Sequence, residues 1–393
     1  MAHAFTQQGL DDLDAAMAHH VAAGHPPGAV WAVARGDELH VATAGNADAG
    51  GTRPVRRDTI FRISSMSKPV AAAAALVLVD AGRLGLDDPV DGPLPELAER
   101  RVLADPDGPL DDTVPAQRPI TVRDLLTFRL GWGMDFARLG RQRVMGAMAD
   151  LGLGAGPPAP GRGPGSDEWL RRLATLPLEY QPGQRWLYHI GADVLGILVA
   201  RVVGRPLEDV VADLVLGPLG MRDTAFTVAP GDLDRFTDCV ATDPVTGEPG
   251  LYDRVEGQWS RPPVFASAGA GLVSTVDDYL AFARMLRDGG HPLLSAATVR
   301  QMTTDQLTAA QRASSSPAPD GSVGWGLGLG VRAVRTESAA VGTYGWNGGL
   351  GSVWATDPAV DLTGVLLTNE AWASPAPPAI VDDFWRCAYA ALR

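Results

Sequence analysis

Residues 61–80 read FRISSMSKPVAAAAALVLVD, and Lys68 within them is the single lysine of the chain. Lysine and arginine together number 33, so the other 32 basic residues are all arginine. Guanidinium keeps its proton in proteins, whereas burial or a neighbouring positive field can push an ammonium to its neutral, proton-accepting form. A solvated surface charge would be served equally well by arginine. Serine is scarce, at 15 of 393 residues, so chance rarely puts one three positions before a lone lysine. Ser65 stands there. On a helix, side chains at i and i+3 share a face, and Ser-x-x-Lys therefore sets a hydroxyl beside a potential base. The apolar run after Lys68 predicts a helix from about Ser65 to Ala81, closed by Gly82.

Outward from this helix the chain organises itself around a sheet. Residues 6–23 place Leu10, Leu13, Met17 and Val21 at helical spacing. Two strand-like runs follow, GAVWAVAR (28–35) and ELHVATAG (38–45), joined at Gly36-Asp37, a hairpin signature. Strand-like runs return only near the other end: GWGLGLGV (324–331), TYGWNGGLGSVWAT (343–356) and DLTGVLLTN (361–369). A helix over about 377–391 ends the chain. The expectation is an α+β fold in one catalytic domain, 1–393. A five-stranded antiparallel sheet, flanked by terminal helices and built from about 1–83 and 271–393, carries an inserted all-helical subdomain, about 84–270. The tract GLGAGPPAPGRGPG (152–165) holds too much glycine and proline for helix or strand and reads as a surface loop, with a lid over the site as its functional alternative.

At 46% hydrophobic the chain can bury a large core. A net charge of −13 argues against nucleic acid or an anionic membrane as partner. Cys239 and Cys387 are few and far apart, which suits a reducing compartment. The opening MAHAFTQQGLDDLD has neither the basic region nor the apolar run of a signal peptide, and the most apolar segment, 69–79, is too short to span a bilayer. The expectation is a soluble, cytoplasmic protein.

A serine hydroxyl is a poor nucleophile until a base removes its proton, and a neutral Lys68 can be that base. Ser65 at a helix start also gains from the positive dipole end. A second proton carrier has to serve the leaving group, and Tyr188 in QRWLYHIGADVLG is the candidate, although a core tyrosine at a helix entry would read the same. Backbone N–H groups on the glycine-rich edge YGWNGGLGS (344–352) can stabilise an oxyanion, or that edge is simply a tight bend. The nucleophile elbow G-x-S-x-G of α/β-hydrolases is absent, as are HExxH, paired Cys/His spacings and dinucleotide or phosphate-loop fingerprints. No metal and no nucleotide cofactor is expected.

Ser65-Met66-Ser67-Lys68, Tyr188 after a helical region and the strand Trp346-Asn347-Gly348 resemble the serine β-lactamase and penicillin-binding-protein superfamily, most of all its class C branch and the related family VIII carboxylesterases. Supporting phrases run through nearly the whole chain in order: DTIFRISSMSKPVAAAAALVLVDAGRLGLDDPV, ITVRDLLTFRLGW, YQPGQRWLYHIGADVLG and FASAGAGLVSTVDDYLAFARML. The resemblance implies a β-lactamase/transpeptidase-like fold with the site between sheet and helices. It implies Ser65 as nucleophile, Lys68 as its base partner, Tyr188 as acid/base, and the backbone N–H groups of Ser65 and Gly349 as oxyanion hole.

Two departures bear on substrate. β-Lactamases of this branch carry Tyr-x-Asn, whose amide contacts the acylamino side chain; here the triplet is Tyr188-His189-Ile190. They also carry Lys-Thr-Gly on the strand, which holds a carboxylate; here it is Trp346-Asn347-Gly348. An aromatic in place of the cation resembles the esterase branch and favours an uncharged ester. His189 would tune Tyr188 or line the substrate wall. The expected activity is a serine esterase acting on small to medium carboxylic esters. An acyltransferase or an amide, β-lactam or D-amino-peptide hydrolase is the alternative within the superfamily, and a catalytically silent binding protein the alternative outside enzymes. The only expected partner is a small-molecule ester.

Overall fold

The computed structural model describes residues 4–154, 156–243, 248–318, 320–336 and 339–393. The first helix, α1 (Gln7–Ala22), starts where the Thr6 hydroxyl accepts the Gly9 N–H and buries Leu10, Leu13 and Met17. Strands β1 (Gly28–Arg35) and β2 (Glu38–Gly45) form the hairpin read from Gly36-Asp37. The late strands are β3 (Val323–Trp325), β4 (Gly330–Arg332), β5 (Tyr344–Gly348), β6 (Ser352–Asp357) and β7 (Leu362–Thr368). They join the hairpin in one antiparallel sheet of order β2-β1-β7-β6-β5-β4-β3.

The sheet therefore has seven strands where five were expected. Each of the runs 324–331 and 343–356 folds back on itself. Gly328 (φ +89°) lies in the first reversal, where a Cβ would come within 2.3 Å of the Ala72 methyl, so only glycine allows both the turn and the close approach. Gly351 (φ +104°) lies in the second. In chain this rich in glycine, a turn residue does not stand out from strand residues.

Both faces of the sheet are covered, which is why β1 up to Ala34 and all of β7 are buried rather than alternating between buried and exposed. Ala29, Trp31, Val33, Val353, Leu362 and Leu366 pack under α1 and the last helix, Ala379–Ala390. On the other face Val30, Ala32, Trp354, Val365 and Leu367 join the largest core cluster. That cluster holds α2 (Ser67–Asp80), α3 (Ile190–Val203) and α4 (Val276–Arg287). The alanines 71–75 of α2 are all buried, so their small side chains allow α2 to pack closely against α3. No helix among the described residues is long and apolar enough to cross a membrane.

Candidate active site

Ser65 sits in a 3₁₀ turn, Ser64–Met66, that runs straight into α2. Ser64 holds φ +45°, an uncommon conformation for a residue with a side chain, and its surroundings fix it there. The Ser67 hydroxyl donates to the Ser64 carbonyl (2.6 Å) and accepts the Leu272 N–H (3.0 Å). Tyr279 donates to the Met66 carbonyl from α4 (2.9 Å), and the Ser352 hydroxyl donates to the Ile63 carbonyl from β6 (2.8 Å). β5 comes so close that a Cβ on Gly348 would lie 2.2 Å from that same Ile63 oxygen, whereas one on Gly349 would meet open space. Gly348 is thus glycine for packing, and Gly349 is exposed.

One helical turn on, Lys68 is 1% exposed. Its Nζ lies 2.9 Å from Ser65 Oγ, 2.6 Å from the Gly269 carbonyl oxygen and 3.1 Å from His189 Nδ1, and 4.6 Å over the Tyr188 ring. Burial drives its pKa down from 10.5 to about 7, against the opposing pull of the Asp193 charge.

Tyr188 is held by its backbone: it exchanges hydrogen bonds with Met134 (3.0 and 2.8 Å), made possible by Gly133, where a Cβ would strike the Tyr188 carbonyl at 2.6 Å. Its hydroxyl accepts the Trp346 Nε1–H at 2.8 Å and stands towards Ser65. Burial raises the phenol to about 12, with the interactions with Ser65 and Trp346 working against that rise. Around it stands an aromatic wall of Phe128, Phe136, Trp186, Trp325 and Trp346. Trp346 meets Trp325 edge-on with centroids 4.6 Å apart, and Phe128 stacks on Trp325 at 4.6 Å. The sequence reading had singled out only Trp346 of these five. The others come from stretches far apart in the chain.

His189 is the surprise of the site. With φ +83° and ψ −61°, and with the Ile190 N–H donating to the Tyr188 carbonyl (3.2 Å), it forms a γ-turn, a strained shape for a residue with a side chain. The turn swings the imidazole inward, so that Nδ1 faces Lys68 and Nε2 lies 3.1 Å from the Asp193 carboxylate. Asp193 in turn accepts from the Ser267 hydroxyl (2.7 Å) and the Gly269 N–H (3.0 Å). Gly269 must be small: a Cβ there would crowd His189 Cε1 at 3.0 Å. Burial, reinforced by the Lys68 charge, holds the His189 pKa below its ordinary value. Burial penalises the Asp193 carboxylate, yet hydrogen bonds from His189, Ser267 and Gly269 keep its pKa low. Asp193 and Ser267 escaped the sequence reading. The one available signal was the i, i+4 spacing of His189 and Asp193.

The remaining expected residues lie elsewhere. Ile190 is fully buried in the large core. Asn347 pairs across the strands with Val353, whose side chain packs under the terminal helices, so the pleat turns Asn347 away from Tyr188. It borders a groove with Trp385 and Tyr389 on that far face. The loop 152–165, of which residue 155 lies outside the described residues, roofs a cavity of about 170 Å³ whose floor includes His189, Asp193 and Ser267. Three bonds tie the loop to the segment 252–264: Val264 N–H to the Pro160 carbonyl (2.8 Å), Gly161 N–H to the Gln258 Oε1 (3.4 Å) and Tyr252 O–H to the Pro158 carbonyl.

A half-buried serine against a buried lysine and tyrosine, beside a glycine-lined strand, is the grouping the sequence motifs implied, and the family model described as Beta-lactamase matches residues 13–379. The chain belongs to the β-lactamase family. An uncharacterised protein of Mycobacterium tuberculosis is 40% identical over 366 residues, covering 90% of this chain and 88% of its own. Esterase EstB of Burkholderia gladioli is 33% identical over 374 residues, covering 89% and 88%. Among solved structures, EstCE1, a hydrolase with promiscuous acyltransferase activity, superposes with a TM-score of 0.81 at 26% identity and covers 97% of this chain and 99% of its own. This member of the β-lactamase family is a serine hydrolase with that family's mixed α/β fold.

Proposed function

We propose that the chain is a carboxylesterase that hydrolyses small to medium esters through an acyl-enzyme on Ser65. The observation that carries it is the contact of Trp346 Nε1 with the Tyr188 hydroxyl (2.8 Å). An aromatic donor, continuous with an apolar wall, stands at the strand position where the β-lactamases of the resemblance hold a substrate carboxylate with a cation. An uncharged ester with an apolar acyl or alcohol part suits that wall, and the likeness to an esterase supports the same reading.

Neutral Lys68 takes the Ser65 proton as Oγ bonds to the acyl carbon, and the backbone N–H groups of Ser65 and Gly349 stabilise the oxyanion. Tyr188, still protonated at working pH, gives its proton to the departing alkoxide. An ammonium and a phenolate remain side by side. Water then enters, yields a proton to the Tyr188 phenolate as its oxygen attacks the acyl group, and Ser65 leaves with the proton stored on Lys68. An alcohol in place of that water makes the enzyme an acyltransferase, a reading favoured by the promiscuity of EstCE1.

A panel of p-nitrophenyl esters run beside a chromogenic cephalosporin tests the proposal. Ester turnover is expected to exceed lactam opening by orders of magnitude, with a fluorophosphonate adduct on Ser65 by intact-mass spectrometry. Lactam turnover matching that of short esters would overturn the substrate reading. No adduct on Ser65 would overturn the chemistry and leave a binding protein. Adding a primary alcohol and measuring transesterified product separates hydrolase from acyltransferase.

A further inference from the structure

We propose that Asp193 and His189 are positioning residues that set the direction of the Lys68 lone pair, and so decide whether Lys68 can accept the Ser65 proton at all. The proposal rests on the esterase reading of Ser65 and Lys68.

A neutral amine has two N–H donors and one lone pair in a tetrahedral arrangement. Lys68 Nζ has three polar neighbours: the Gly269 carbonyl, His189 Nδ1 and Ser65 Oγ. The carbonyl oxygen can only accept, so it takes one N–H. What remains is one N–H and the lone pair, to be shared between His189 and Ser65. If His189 Nδ1 accepts, the second N–H is used and the lone pair must face Ser65. If His189 Nδ1 carries the proton, it donates into the lone pair, and Ser65 faces an N–H that can take nothing from it. The tautomer of one imidazole therefore switches the base on or off.

Asp193 makes the choice. A carboxylate only accepts, so the nitrogen facing it, Nε2 at 3.1 Å, has to carry the proton and Nδ1 is left bare. The carboxylate is itself immobilised by Ser267 and by the N–H of Gly269, the residue whose carbonyl holds Lys68. The groups facing the imidazole are Lys68 from α2, Asp193 from its own helix α3, Ser267 and Gly269 from the segment before α4, and the ring of its neighbour Tyr188. Arg162 of the loop borders the adjoining cavity. The γ-turn strain at His189 is what aims the ring between Lys68 and Asp193.

The test is a double-mutant cycle with kinetics on a p-nitrophenyl ester. In Asp193→Asn the amide can donate to Nε2 and so admit the inactive tautomer. It is expected to lower kcat by roughly tenfold to a hundredfold with KM little changed. His189→Asn places an amide oxygen near the Nδ1 position, an acceptor with no tautomer to choose, and asparagine tolerates positive φ. It is expected to lower kcat but keep measurable turnover, which is the baseline for the second substitution. In that background, adding Asp193→Asn should then cost less than about threefold, because Asp193 has no imidazole left to orient. An equal Asp193→Asn loss in both backgrounds would overturn the proposal, since Asp193 would be acting through the Ser267–Gly269 backbone instead. Nitrogen NMR of the imidazole reads the tautomer without any activity, with His189→Asn assigning the resonance. Bare Nδ1 and protonated Nε2 are expected in the wild type, and protonated Nδ1 would overturn the proposal even if the Asp193→Asn variants failed to fold. A missing Ser65 adduct in wild type would sink the esterase reading while leaving the tautomer measurement intact.

Discussion

Two cations are buried on either side of the Ser64–Met66 turn, and their surroundings differ in one respect that separates structure from chemistry. Arg62, 2% exposed, is met by a carboxylate: Asp253 Oδ2 lies 2.6 Å from Nη2 and 3.1 Å from Nε. The Thr237 and Arg254 carbonyls take further N–H groups, and the guanidinium sits 4.1 Å from the Phe236 ring centre and 5.1 Å from that of Trp259. Lys68, 1% exposed, meets a hydroxyl, a carbonyl and an imidazole, and its nearest carboxylate stands behind His189. A buried cation with a direct counter-ion is a fixed strut. A buried ammonium one imidazole removed from its counter-ion is left balanced near neutrality, with a pKa of about 7.

The comparison breaks most sharply at Lys68. Lys68→Met is expected to lose about 10²–10⁴-fold in ester turnover, the usual worth of a general base, while staying folded. Lys68→Arg should be as inactive and also less stable, because a permanent charge would stand where no carboxylate touches it. In wild type, turnover should fall about tenfold per pH unit below pH 7 as the ammonium forms, and Lys68→Met should lose that limb. Stability carries an independent sign. Between about 7 and 10.5 the unfolded lysine holds a proton that the folded one has lost, so burial of Lys68 destabilises the protein fully below pH 7 and not at all above 10.5. The melting temperature of Lys68→Met relative to wild type should therefore be more favourable at pH 6 than at pH 10. A variant retaining a substantial fraction of wild-type turnover would show that Lys68 is not the base.

Arg62→Met is expected to do the reverse. It leaves Asp253 buried without its partner, at a cost of about 3–5 kcal/mol in stability, read as a lower urea midpoint. The folded fraction should keep its kcat and its Ser65 adduct. Loss of turnover out of proportion to unfolding would make Arg62 part of the catalytic geometry. The smallest effect is expected at Trp346→Phe, which keeps an aromatic ring but removes the donor to Tyr188. A single neutral hydrogen bond is worth about 0.5–1.5 kcal/mol, so turnover should fall about 2- to 10-fold with the pH profile unmoved. A hundredfold loss would give the indole a larger role than wall and donor.

Much of this was legible along the chain. Helix α2 runs over Ser67–Asp80 with Gly82 at φ +67° beyond it, close to the stretch read from its apolar run, and the β1–β2 hairpin turns where Gly36-Asp37 stand. Those elements announce themselves because local spacing and turn chemistry agree with their burial. The two extra strands did not, because glycine serves turn, strand and close approach alike, and only packing tells which. The Tyr188 triplet put Ile190 at the substrate and left His189 to tune Tyr188 or line the wall. The γ-turn instead turns His189 to Lys68 and leaves Ile190 in the core, and nothing local foretells a strained φ that the tertiary structure holds in place. Asn347 was misjudged for a simpler reason. Adjacent residues on a strand face opposite ways, and Trp346 had already claimed the cleft.

The amino-acid sequence by itself determined which side chains could do chemistry: one lysine able to lose its proton, a serine one helical turn before it, and a tyrosine at a helix entry. Those properties are carried by residue type and short spacing, and no fold is needed to state them. Tertiary structure alone decided how the lysine is tuned. Its pKa depends on burial and on Asp193, 125 residues away along the chain, and its contacts run through Gly269 and a twisted His189. Desolvation and hydrogen-bond direction are set by distances of about 3 Å between groups that sequence separation does not relate, and only the packed chain supplies them.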